Sequence, residues 1–192
     1  TTLFSALLDL IKPTTGEVLN NGINVRTSED WKSFTSAFLD ESFLISYLMP
    51  EEYFYFVGEL RNFSKKQVDE FLKQFEDLFN GEILGGKKFI RDLSKGNQKK
   101  VGIVAALIGD PEVIILDEPF ANLDPTTQIR LKKIIKTLSQ KVGVTVLVSS
   151  HDLQDVTEVS DRIVLLEKGL VIKDIKKTKK TLQDLETYFN KE

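Results

Sequence analysis

Residues Val113 to Pro119 read VIILDEP, a short aliphatic run leading straight into two adjacent carboxylates, Asp117 and Glu118. A run of this kind suits a parallel strand buried on both faces. Open α/β sheets place their ligands beyond the carboxyl ends of such strands. Two acids at that edge can divide the work. One can hold Mg²⁺, directly or through water, while the other takes a proton from an attacking water. The same two residues also fit a plain exposed turn carrying two solvated acids.

Other reactive residue types fall around this pair. LSKGNQ, Leu93 to Gln98, lies upstream and opens a helix. Ser94 offers a hydroxyl, Gly96 admits close backbone approach, and a helix N-terminus favours a phosphate. Ser94 serves equally well as an ordinary N-cap. ANLD, Ala121 to Asp124, follows the acids. His151 is the only histidine in the chain. It comes directly after VTVLVSS, again at the ligand edge if that segment is a strand.

These residues need elements to hold them. At the start, Phe4, Leu7, Leu8 and Ile11 predict a largely buried amphipathic helix over Thr1–Lys12. A short strand is expected over Glu17–Leu19, then a turn at Asn20-Asn21-Gly22, then a strand over Ser33–Asp40. Between Glu51 and Asp110 the pattern is helical. Val68, Leu72, Phe75 and Phe79 predict one helix behind an N-cap at Ser64, and Gly85-Gly86 marks a loop. After VIILDEP come a helix entered at Asp124-Pro125, a second buried strand VTVLVSS, and a short helix. Two strands about Lys168-Gly169 and a closing helix complete the order. Strands alternating with helices, with a helical block midway, predict an open, mainly parallel α/β sheet carrying a helical sub-domain.

Composition narrows the class. The chain has 192 residues, 41% hydrophobic and 29% charged, enough for one sizeable core. A net charge of -3 gives no general electrostatic reason to bind nucleic acid. No apolar run reaches the about 18 residues of a membrane helix. The basic run Lys173 to Thr181 reads first as a solvated loop and second as a contact for an anionic membrane surface.

Taken in order, LSKGNQ, VIILDEP, ANLD and SSHD resemble the signature motif, Walker B motif, D-loop and switch histidine of the ATP-binding cassette (ABC) ATPases. The resemblance covers nearly the whole chain and rests on the joint order of these motifs. It implies an α/β P-loop NTPase (RecA-like) fold. Residues 1–40 and 101–192 would form the ATPase core, and 41–100 a helical sub-domain ending in the signature motif. By the same resemblance, Thr1 occupies the last position of the phosphate-loop motif G-x-x-x-x-G-K-[ST], whose glycines and lysine, with the strands before them, are not in this sequence.

The resemblance also assigns roles. Glu118 is the general base, and Asp117 and Thr1 hold Mg²⁺. His151 contacts the γ-phosphate of ATP. Ser94, Gly96 and Asn97 face the nucleotide of a second cassette, homologous or identical, in an ATP sandwich, and Asp124 couples the two sites. Three positions depart from the pattern. Lys95 stands for the first glycine of Leu-Ser-Gly-Gly-Gln, as in bacterial exporter-type cassettes, and Asn97 stands for the glutamine. Glu41 stands where a Mg²⁺-sensing glutamine is expected, and adds negative charge beside phosphate.

The implied protein is the nucleotide-binding subunit of an ABC transporter, peripheral at the cytoplasmic face of a membrane. Its permease would dock near the aromatic stretch containing Tyr53, Phe54 and Phe56, unless those rings simply pack the helical sub-domain. The 192-residue chain by itself is expected not to bind ATP tightly or hydrolyse it, since Asp117, Glu118 and Glu41 would meet polyphosphate without the loop lysine. The alternatives are a soluble ABC-type ATPase of translation or DNA maintenance, a non-catalytic interaction module, and an enzyme using Thr1 as an N-terminal nucleophile.

Overall fold

In the computed structural model, which describes residues 1–190, Thr1 is the N-cap of a short helix, α1 (Thr2–Leu7). The predicted helix was longer and buried. Asp9 instead adopts left-handed backbone (φ 54°), which ends the helical hydrogen bonding early. Phe4, Leu7 and Leu8 are partly covered, while Leu3, Leu10 and Ile11 stay exposed. β1 (Leu19–Asn20) and β2 (Ile23–Asn24) pair antiparallel around Asn21 and Gly22. Their φ values of 47° and 80° are what a two-residue hairpin turn requires. This strand begins later than the predicted Glu17.

β3 (Thr35–Phe38) leads through a loop into the helical block of α2 (Pro50–Leu60), α3 (Lys65–Leu72) and α4 (Glu76–Phe79). Ser64 caps α3, accepting from the Gln67 N–H at 3.4 Å. The helix expected to run on to Phe79 is broken by a 3₁₀ turn at Lys73–Phe75. That turn re-aims the chain so that Phe75 and Phe79 both reach the core, and the rings of Phe71 and Phe75 lie 5.0 Å apart. α5 (Lys95–Leu107), β4 (Val113–Asp117), α6 (Pro125–Ser139), β5 (Thr145–Ser149) and α7 (Leu153–Val159) follow in alternation. β6 (Arg162–Glu167) and β7 (Leu170–Lys176) form an antiparallel ribbon, and α8 (Thr181–Phe189) closes the described chain.

The central sheet has the order β3-β4-β5 and is parallel throughout. Phe38 stands opposite Leu116, and Asp117 opposite Ser149, so the three strands end nearly level. β4 is the middle strand, which is why Ile114, Ile115 and Leu116 could all be apolar and are all buried. β5 was expected to be buried as well. It pairs only with β4 among the described residues, so it is an edge strand, exposed at Thr145 and partly covered beyond it.

α5 is the hub of the packing. Every residue from Gln98 to Leu107 is buried, so the helix is enclosed on all sides rather than amphipathic. Gly102 is required there, because a Cβ would come within 2.1 Å of the Phe38 ring. One continuous core joins Phe38, Ile114 and Leu116 of the sheet to Phe54, Val68, Leu72 and Phe79 of the helical block. Arg61 reinforces that junction, donating to the carbonyls of Lys32 (2.9 Å), Ser33 (2.8 Å) and Thr35 (2.7 Å).

Candidate functional site

The level ends of β3, β4 and β5 deliver three loops to one edge of the sheet. Asp117 is the last residue of β4 and only 4% exposed. One carboxylate oxygen accepts from the Ser149 hydroxyl of β5. The other lies 3.4 Å from the Thr1 nitrogen. Burial alone would raise the Asp117 pKa. Hydrogen bonds from the Ser149 hydroxyl first and then from the Thr1 hydroxyl oppose it, and the carboxyl is held below its usual range and is ionised at neutral pH.

Glu118 follows in left-handed backbone (φ 46°), a conformation costing of order 1–3 kcal/mol for a residue with a side chain. The Glu118 N–H donates to Ser149 Oγ at 3.0 Å, so one hydroxyl serves both acids, donating to the first and accepting from the second. Glu118 Oε2 lies 3.0 Å from His151 Nδ1. That hydrogen bond, and next the charge behind it, raises the His151 pKa above its ordinary value. The predicted base and the predicted phosphate contact are therefore in direct contact.

Glu41 begins a 3₁₀ turn just past β3. Its Oε1 lies 3.9 Å from the ammonium of Lys99. Lys99 is the residue that the sequence reading missed. It is 5% exposed, and its Nζ donates to the carbonyls of Glu118 and Ala121, both at 2.9 Å. A lysine two positions after the LSKGN motif looks like an ordinary solvated helix residue. The available signal was the unusual glutamate at 41, whose charge beside phosphate calls for a nearby cation.

Ser94, Gly96 and Asn97 sit at the N-terminus of α5 and make no contact with the acids. Ser94 caps the helix by accepting from the Asn97 N–H at 3.2 Å, as its ordinary reading expects. Gly96 lies against the ANLD loop, where a Cβ would meet the Asn122 carbonyl at 3.4 Å, an ordinary contact. Asp124 caps α6, accepting from the Thr127 N–H at 3.0 Å and the Thr127 hydroxyl at 2.5 Å. Those bonds, hydroxyl first, hold its pKa below the usual range. Phe54 is fully buried and Tyr53 partly so, whereas Phe56 is 42% exposed.

The donor set at the β4 edge suits Mg²⁺. Thr1 and Asp117 offer a hydroxyl and a carboxylate side by side, hard oxygen donors of the kind that ion takes from protein while keeping waters and phosphate oxygens.

Residues 1–121 match the protein family described as ABC transporter. An uncharacterized ABC transporter ATP-binding protein of Alkalihalophilus pseudofirmus is 32% identical over 169 residues, covering 88% of this chain and 62% of the relative. An energy-coupling factor transporter ATP-binding protein of Staphylococcus epidermidis is 31% identical over 182 residues, covering 89% and 62%. The chain thus spans 62% of the length of these curated relatives. Among solved structures, an ATP-binding subunit of an ABC transporter superposes with a TM-score of 0.81 at 25% identity, covering 98% of this chain and 76% of that one. A dimeric, post-hydrolysis ATP-binding cassette holding ADP and Pi shares the fold, with a TM-score of 0.76 at 24% identity over 91% of this chain and 79% of that one.

Proposed function

This chain belongs to the ABC transporter family, and from that premise we propose that it acts in the nucleotide-binding subunit of a transporter, coupling ATP hydrolysis to movement of a solute across a membrane. The observation that carries the hydrolytic reading is the 3.0 Å contact between Glu118 and His151 beside the buried, ionised Asp117.

Each residue then has a task its surroundings support. Asp117 is kept ionised by Ser149 and Thr1, so it can hold a water-clad cation. A bound Mg²⁺ would neutralise charge on the phosphates. Glu118 is 37% exposed and meets His151 through Oε2, which leaves Oε1 to take a proton from water. His151 is favoured in its charged form and stabilises negative charge on a transferring phosphoryl group. Ser94, Gly96 and Asn97 lie apart from the acids, which suits contact with the nucleotide of a second cassette. Gly96 supports this, since its own fold leaves room for a side chain there. Asp124 anchors the loop between the two sites.

The permease partner would meet an aromatic surface made by Tyr47 (70% exposed) and Phe89 (39%), with the Arg91 guanidinium over both rings. No described helix is long and apolar enough to cross a membrane. A subunit held at the cytoplasmic face by that partner fits both observations. The test is Glu118→Gln in the protein that carries this chain. ATP turnover is expected to fall by about 10²–10⁴-fold while ATP still binds. Unaltered hydrolysis would refute the assignment.

A further inference from the structure

The acidic edge of the sheet holds one buried cation that no motif assigns. Glu41, Asp117 and Glu118 bring three carboxylates to the place where a polyphosphate would bind. Lys99 reaches this edge from inside the core, on α5, the helix that carries Ser94 and Gly96 at its start. Its ammonium lies 3.9 Å from Glu41 Oε1 and donates to the Glu118 and Ala121 carbonyls. A lysine 5% exposed keeps its charge only if partners replace the lost water. Here two carbonyls and one nearby carboxylate do so. Burial pulls its pKa down, opposed by Glu41 first and then by Glu118 and Asp117.

We propose, resting on the nucleotide-site reading above, that Lys99 is a positioning residue. It neutralises Glu41, so that this chain carries a glutamate beside the polyphosphate where the family resemblance expects a glutamine. It also fixes the backbone from which Glu118 projects. The two roles come from one geometry. The carbonyl of Glu118 belongs to the left-handed residue itself, and the carbonyl of Ala121 begins the ANLD loop. A single ammonium therefore ties the base, the loop after it and Glu41 to the helix behind LSKGN. A neutral residue at 99 leaves the Glu41 charge uncompensated and repels phosphate.

The test uses a non-hydrolysable ATP analogue with Mg²⁺, titrated by calorimetry into the protein that carries this chain. Lys99→Gln should weaken binding roughly tenfold, and Lys99→Gln/Glu41→Gln should restore it to within about threefold. Lys99→Arg keeps the cation and should bind close to the parent. A merely structural lysine would leave the double variant as weak as Lys99→Gln. That result, or parental affinity in Lys99→Gln, overturns the charge pairing. If Lys99→Gln fails to fold, Glu41→Gln decides. It should bind the analogue more tightly, because the ammonium is then unopposed, and equal or weaker binding overturns the pairing. The double variant should still turn ATP over more slowly than the parent, and full turnover would remove the Glu118 part of the role. A parent that does not bind the analogue defeats the nucleotide-site reading and this proposal together. A parent that binds, with the wrong pattern among the variants, defeats the proposal alone.

Discussion

His151 is the only histidine of the chain, so its imidazole can be followed as one signal in a pH titration. Glu118 stabilises the charged ring, and the folded pKa is raised above the ordinary 6.5. The sign follows. The contribution of this contact to stability is fully present below pH 6.5 and is lost as pH rises through the higher folded value. Removing the carboxylate with Glu118→Gln should bring the His151 titration, measured by NMR, back down towards 6.5. A midpoint in the parent at or below that value would show that the ring does not meet Glu118 in solution. Ser149 is the neighbouring residue on which both acids depend. Ser149→Ala strips a donor from a buried carboxylate and an acceptor from the Glu118 N–H. It should destabilise the fold by about 1–3 kcal/mol in urea unfolding, and a neutral result would remove the bridge from the account. None of this was legible from VTVLVSS, where the serines look like the polar end of a strand. The bridge depends on the register that sets Ser149 opposite Asp117.

Two glycines of one helix separate folding from function at the level of elements. Gly102 of α5 faces the Phe38 ring of β3, with no room for a methyl group. Gly102→Ala should cost about 1–3 kcal/mol through overpacking, read as a fall in melting temperature. Gly96, in the first turn of the same helix, has space for one. Gly96→Ala should leave stability unchanged or raise it by up to about 1 kcal/mol, because alanine is the better helix former. It should still lower ATP turnover if that surface meets a nucleotide, and full activity would deprive Gly96 of its assigned role. The order of elements was readable because VIILDEP is an unbroken buried run and because Ser64, Ser94 and Asp124 are polar caps before helices. What was not readable depends on tertiary neighbours. The break at Lys73–Phe75 serves a core that the local pattern does not contain. The partial exposure of β5 follows from its place at the sheet edge, and the apolar residues that predict a buried α1 say nothing of whether anything covers them. Lys99 was hidden for the opposite reason, since local sequence marks it as solvated and only the packing of α5 encloses it.

At the scale of the molecule, exposed apolar residues gather on the β6–β7 ribbon. On the β6–β7 ribbon, Leu166 and Val171 stand opposite each other and are 46% and 61% exposed, with Val164 beside them at 48%. Clustered exposed apolar residues favour association. The 192-residue chain should therefore self-associate as its concentration rises, detected by light scattering after size exclusion. This association should not depend on ATP, which separates it from a nucleotide sandwich built on Ser94 and Gly96. Leu166→Lys with Val171→Glu tests the surface directly. The pair is directly cross-strand, next to the register shift between Leu165 and Leu166, and the new charges attract. The variant should scatter as a smaller species with an unchanged melting temperature. Scattering identical to the parent would move the sticky surface elsewhere, and a lower melting temperature would mean that the two side chains belong to the packing of the ribbon rather than to its exposed face.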